Sequence, residues 1–283
     1  MLPYIGGKKR MQNWIIPFIP YDTETYIEIF AGQFWIFFGI DLVKYPRLKN
    51  IIYNDSNPLN SNLFRCVKED HKLLLDECDK ILVQEKGKYP TDPKCSENFY
   101  KFQKEIYLES FKINSGPNYE IAAKYAYVLS QVFSGANPSS AKFIDLRGKY
   151  QSKFTSFKNK LRDPKWQIMF ESITKVENLD FENVISKYDS EKTFIYSDPP
   201  YFVVGEGNYY SNHEFGTKDH ERLANCLKSI EGKFAMSYYY FPQLEEWFPK
   251  DQYRWESREY SKAAMASKGR SQTKATELLI MNY

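Results

Sequence analysis

Between residues 25 and 55 the chain writes a strand, a glycine turn and a second strand closing on an acid, an order that few folds accept. Thr25-Tyr26-Ile27-Glu28-Ile29-Phe30 is built from β-branched and aromatic types, which suit a pleated surface, and it runs into Ala31-Gly32. The apolar stretch Phe34 to Val43 predicts a buried helix, and Ile51-Ile52-Tyr53-Asn54 predicts a second strand ending at Asp55. A strand, a glycine turn, a helix and a strand ending on an acid about 20 residues later is the nucleotide-binding βαβ arrangement. Any parallel α/β protein with a glycine at a tight turn shares this spacing, so it fixes the class as α/β and leaves the ligand open.

From Leu63 to Val132 the texture is helical. Cys66 to Lys86, Phe99 to Phe111 and Ile121 to Val132 carry apolar stripes at helical spacing, and Pro90, Pro93 and Pro117 separate them. Residues 141–170 hold eight cations (Lys142, Arg147, Lys149, Lys153, Lys158, Lys160, Arg162 and Lys165) against Asp145 and Asp163. Tyr150, Phe154 and Phe157 interleave with them, a mixture that suits a phosphate backbone and unstacked bases as well as it suits a solvated face. Strand texture then returns at Ile173–Val176, Thr193–Ser197, Lys233–Ser237 and Thr276–Met281, with helices expected at Asp219–Ser229 and Phe241–Phe248. A second basic stretch, Arg254 to Lys274, is expected as a loop before the final strand.

Composition removes several classes. The 283 residues are 42% apolar and 17% aromatic, enough for a substantial core and too apolar for general disorder. With a formal charge of +3, any basic surface must come from clustering. The densest apolar run ends at Asp41, far short of the roughly 20 residues a bilayer demands, and the start of the chain has no apolar leader segment. A cytoplasmic protein, neither secreted nor membrane-bound, is therefore expected. Cys66, Cys78, Cys95 and Cys226 lie at irregular distances, and His71, His213 and His220 show no ligand spacing, so free thiols and no metal are expected.

The sharpest chemical feature is Asp198-Pro199-Pro200-Tyr201, directly after the apolar strand that ends at Ser197. Ligands of open α/β sheets sit outside the carboxyl ends of strands, so this tetrapeptide stands where a reacting group would be. Two prolines stiffen the turn and remove two N–H donors, leaving carbonyls beside one carboxylate and one aromatic face. A planar amino group, with two N–H donors and a π-face, is satisfied by that set.

With that motif in place the chain resembles the S-adenosylmethionine-dependent DNA adenine N6-methyltransferases of the Dam type, over nearly its whole length and in the same order. Tyr4-Ile5-Gly6-Gly7-Lys8 resembles the N-terminal cofactor motif, Glu28-Ile29-Phe30-Ala31-Gly32 the glycine-turn motif, and Asn54-Asp55-Ser56-Asn57 the acidic motif after the second strand. Asp198-Pro199-Pro200-Tyr201 is the catalytic motif intact, and Asp145-Leu146-Arg147-Gly148-Lys149-Tyr150 and Glu277-Leu278-Leu279 are similar to further family segments. The family commonly has a small residue two positions beyond the turn glycine; here Gly32 is followed by Gln33, Phe34 and Trp35.

The resemblance implies a Rossmann-like methyltransferase sheet, seven-stranded and mixed, with an inserted helical target-recognition domain. Residues 1–62 and 166–283 would form the catalytic domain and residues 63–165 the insert. Tyr4, Lys8, Phe30, Gly32, Asp55, Asp180 and Asp198 would bind S-adenosylmethionine, which leaves as S-adenosylhomocysteine. Asp198, Pro199, Pro200 and Tyr201 would be catalytic; Arg147, Lys149, Lys153, Lys158, Arg258 and Arg270 would contact duplex DNA. The implied reaction is methyl transfer to the N6 amino group of an adenine flipped out of a specific sequence, by a monomer or weak dimer that works beside a cognate restriction endonuclease. Two alternatives share these residues: a catalytically impaired DNA-binding homologue, and methylation of another planar amino group in RNA adenine, cytosine or protein glutamine.

Overall fold

The structure, a computed structural model, describes residues 1–2, 7–81, 93–113, 116–132, 143, 153–201, 215–261 and 274–283. Its strands are β1 (Thr25–Glu28), β2 (Asn50–Asn54), β3 (Lys175–Glu177), β4 (Thr193–Ser197), β5 (Lys233–Tyr238), β6 (Arg254–Ser261) and β7 (Lys274–Met281). They form a seven-stranded sheet in the order β3-β2-β1-β4-β5-β7-β6. The pairs β1/β2, β1/β4 and β4/β5 are parallel, while β7 runs antiparallel to both β5 and β6. The sheet is thus mixed, as the resemblance implies. All five residues of β4 are buried, the pattern of a central parallel strand covered on both faces.

The helices are α1 (Gln12–Ile15), α2 (Pro58–Lys80), α3 (Pro93–Ser110), α4 (Tyr119–Gln131), α5 (Lys153–Arg162), α6 (Pro164–Ser172), α7 (Phe181–Tyr188), α8 (Thr217–Lys228) and α9 (Gln243–Trp247). The chain divides into two compact units. One comprises residues 1–10, 32–38 and 55–178, and therefore holds α2 to α6 with β3. Its core is strongly aromatic, with Phe34, Phe37, Phe64, Tyr125, Phe154, Phe157 and Phe170 all buried. The other comprises residues 11–31, 39–54 and 179–283. There Ile27, Ile52, Ile195, Phe234, Met236 and Ile280 of the strands join Val184 and Ile185 of α7 and Leu223 and Leu227 of α8 in one cluster.

Two expectations are corrected. The apolar run from Phe34 to Val43 is no α-helix; it folds as two short 3₁₀ turns, Phe37–Gly39 and Leu42–Lys44. Phe34 has φ = +56°, outside the right-handed helical region, and Asp41 caps the second turn by accepting from the Val43 N–H. The apolar run reflects the consecutive burial of Phe34, Trp35, Ile36 and Phe37, and burial alone does not choose between a helix and a packed turn. The first half of the stretch from Arg254 is also no loop, but the edge strand β6, paired with β7 over eight residues.

The remaining elements follow local chemistry. Helix α2 starts at Pro58, the first helical position, where a missing N–H costs nothing, and Asn57 caps it by accepting from the Leu59 N–H. At Asp70 the backbone leaves helical geometry (φ −156°, ψ 87°), and the Asp70 carboxylate accepts from the Lys72 and Leu73 N–H groups to restart the helix.

Candidate active site

In the sheet-bearing unit, β4 delivers Asp198-Pro199-Pro200-Tyr201 to the carboxyl edge of the parallel strands. The Tyr201 hydroxyl lies 3.2 Å from Asp198 Oδ1 and 2.5 Å from Glu277 Oε1. Its ring packs 4.3 Å from the Tyr239 ring and 5.5 Å from that of Tyr238, centroid to centroid. Burial, then the charges of Asp198 and Glu277, push the phenol well above its ordinary pKa, so it is a donor and never a phenolate near neutrality. The Tyr239 hydroxyl meets that of Tyr260, and the Tyr238 hydroxyl meets His220 Nδ1. Burial holds His220 down to about 4, which keeps the imidazole neutral.

Phe30, just past β1, packs at 5.8 Å against Phe181 and edge-on at 5.5 Å against Phe215, forming an apolar wall. Asp180 caps α7 by accepting from the Glu182 N–H and pairs with Arg222 at 3.1 Å. Asn54 ties the ends of neighbouring elements together, donating to the carbonyls of Ile29 and Leu179.

In the helical unit, Gly32 and Asp55 meet directly: the Gly32 N–H donates to Asp55 Oδ2 at 2.8 Å. Gly32 has φ = +50°, a conformation glycine adopts without Cβ strain. The Asp55 carboxylate also accepts from the Asn57 N–H and the Asn60 side-chain amide, and Asn60 in turn accepts from the buried Tyr125 hydroxyl. Lys8 is buried on a short 3₁₀ turn. Phe34 turns its fully buried ring to Phe37, Phe38 and Phe64.

The basic residues divide. Lys153 is half-buried, and its pKa is lowered by that burial. Lys158 lies 3.3 Å from Asp79, which it shares with Arg162. Arg258 is exposed on β6. Tyr4, Arg147, Lys149 and Arg270 lie outside the described residues.

Sequence reasoning therefore names two pairs that the fold joins, Gly32 with Asp55 and Asp198 with Tyr201. It assigns no role to Glu277, Tyr239 or Asn60. The available signal for Glu277 is an acid at the head of the apolar run Leu278–Met281. No group of three or more His, Cys, Asp or Glu side chains suited to a metal occurs among the described residues. No helix among them is long and apolar enough to cross a membrane.

The chain is similar in sequence to known methyltransferases. The chain is 25% identical over 289 aligned residues to the type II methyltransferase M1.LlaDCHI of Lactococcus lactis subsp. cremoris, covering 99% of this chain and 94% of that protein. It is 22% identical to the type II methyltransferase M.CviBI of Paramecium bursaria Chlorella virus NC1A, covering 83% and 81% respectively. Against the modification methylase StsI of Streptococcus sanguinis it is 26% identical over 74% of its own length but spans only 29% of that protein. The profile of the D12 class N6 adenine-specific DNA methyltransferases matches residues 4–265. A match across almost all of the chain, with the Asp-Pro-Pro-Tyr corner set at the end of β4, makes this protein a member of the D12 class of N6 adenine-specific DNA methyltransferases.

Proposed function

We propose that the protein transfers a methyl group from S-adenosylmethionine to the N6 amino group of adenine in a specific duplex DNA sequence, after turning the base out of the helix. The observation that carries this reading is the Asp198–Tyr201 corner, where a carboxylate and an aromatic ring are joined at the carboxyl edge of the sheet.

The residues fit the cofactor. Asp55 follows β2, the position from which an acid holds ribose hydroxyls in nucleotide-binding folds, and its carboxylate is fixed by the Gly32 N–H and the Asn60 amide. The family resemblance assigns Lys8 and Phe30 to the cofactor as well; Lys8 is buried, and Phe30 has apolar neighbours in its own unit. S-adenosylmethionine, when bound, supplies a methyl group activated by a sulfonium.

The exocyclic nitrogen of adenine is a poor nucleophile, because its lone pair is delocalised into the ring. Asp198 and the Pro199 carbonyl accept hydrogen bonds from its two N–H groups, which favours a tetrahedral nitrogen with a localised pair; the methylated nitrogen then gives up one of those protons, by way of Asp198 to water. Tyr201 offers its ring to the everted base, offsetting part of the few kcal/mol that extrusion costs. Positioning supplies most of the acceleration, since well-oriented groups gain up to about 7–11 kcal/mol.

The type II relatives support a modification role beside a restriction endonuclease. The direction of the Phe34 ring, into the aromatic cluster of its own unit, supports an active enzyme over an impaired homologue. Incubation of the protein with labelled S-adenosylmethionine and pools of duplex DNA, RNA and protein tests the substrate class. Label confined to N6-methyladenine in DNA is the expected result; label in RNA or protein alone overturns it.

A further inference from the structure

We propose that Glu277 is a positioning residue of the methyl transfer: it accepts the Tyr201 phenol hydrogen bond, fixes the stacking ring, and leaves Asp198 to accept from the substrate amine. The inference rests on the methyltransferase reading and adds a residue to it.

The strands place Glu277 there. β7 runs antiparallel to β5 with Leu278 opposite Tyr238, the last residue of β5, so Glu277 and Tyr239 each lie one residue beyond that final pair. Tyr239 is the ring packed at 4.3 Å against Tyr201. Glu277 is only 1% exposed, and a carboxylate in such a place is costly unless strong donors compensate. Its Oε1 stands 2.5 Å from the Tyr201 hydroxyl, whereas Asp198 Oδ1 stands at 3.2 Å.

A phenol has one proton to give. Of two carboxylates around it, the nearer takes the stronger hydrogen bond, and the proton points to Glu277. Asp198 keeps only the longer contact to Tyr201, at 3.2 Å, and accepts from the amino group. Without Glu277 the same phenol would donate to Asp198, competing with the substrate, and its ring would lose that anchor. No bond is made or broken by Glu277; it acts through Tyr201.

Steady-state kinetics on duplex DNA test this in a double-mutant cycle of Glu277→Ala, Glu277→Gln and Tyr201→Phe. Loss of a hydrogen bond to a charged group predicts a fall in kcat of about tenfold or more for Glu277→Ala, with KM for DNA and for S-adenosylmethionine within about twofold of wild type. Glu277→Gln keeps an acceptor oxygen and recovers most of that loss. In the Tyr201→Phe background neither Glu277 substitution lowers kcat further. Wild-type kcat in Glu277→Ala, or an equal loss in both backgrounds, overturns the proposal. Should Glu277→Ala fail to fold, the cycle built on the near-isosteric Glu277→Gln decides the same question. A crystal structure of Glu277→Gln or Glu277→Ala gives a readout apart from activity: a Tyr201 ring shifted from Tyr239 in the alanine variant supports anchoring, and an unmoved ring overturns it. Absence of DNA methylation by the wild-type protein would instead overturn the function proposed above, and the ring position would still decide the anchoring.

Discussion

Asp198 is a single carboxylate placed at the edge of a sheet by one strand, and the chemistry proposed for it is correspondingly easy to remove. Asp198→Ala is expected to abolish methyl transfer in a labelled-methyl assay while leaving DNA binding measurable by fluorescence anisotropy; normal turnover in that variant would refute its role. Phe34 makes the opposite case, a residue whose sequence position suggests a conflict and whose packing explains its presence. Its φ of +56° lies in the left-handed region, and an L side chain there is strained by about 1–2 kcal/mol. The ring recovers this by packing against Phe37 at 4.6 Å and against Phe64. Phe34→Ala is therefore expected to cost about 3–5 kcal/mol in urea denaturation, far more than the strain it leaves behind. Asp198-Pro199-Pro200-Tyr201 is legible in sequence because four consecutive residues carry their own chemistry. Glu277 is not, because its partner Tyr201 lies 76 positions away and only the strand register joins them.

At the scale of the element, the strands are the more readable part. β4 is found at Thr193–Ser197 as its β-branched and aromatic run predicts, and β5 extends one residue past the expected Ser237. The run from Phe34 misleads because its hydrophobicity reports burial and has no period to report geometry. The turn into β5 is a packed element in its own right: Asp189 accepts from the N–H groups of Glu231 and Gly232. A Cβ on Gly232 would stand 2.6 Å from the Thr193 carbonyl oxygen and 2.8 Å from that of Ser190. Since those are backbone atoms, Gly232→Ala should lower stability by about 1–3 kcal/mol, as read by the denaturation midpoint. Helix α8 and β5 meet at His220 and Tyr238, where the imidazole is held down to about 4. The unfolded chain protonates this group near 6.5, so its contribution is fully present above about pH 6.5 and is lost as pH falls toward 4. Urea denaturation between pH 4 and 8 should show this loss, about 3 kcal/mol at most, and a flatter profile in His220→Gln.

For the molecule as a whole, the order of five short motifs is readable where each alone is weak, since order along a chain is preserved even when folding is not visible. Long-range pairings are hidden, and so is the use to which charge is put. Lys158 and Arg162 stand out in sequence as part of a cationic face, yet both share Asp79. Binding of duplex DNA should weaken as salt rises, with a slope near −0.9 in log–log form for each phosphate neutralised. Lys153→Ala is expected to reduce that slope more than Lys158→Ala, whose ammonium already has a carboxylate beside it; equal slopes in anisotropy titrations would count against the distinction.

The antiparallel return of β7 beside β5 has a consequence for assembly. Residues 274–281 are threaded between β5 and β6, and with them comes the glutamate that meets Tyr201. A polypeptide synthesised only as far as β6 carries the Asp-Pro-Pro-Tyr corner but not the strand that braces it. A chain cut between β6 and β7 would therefore have the motif and little of the activity.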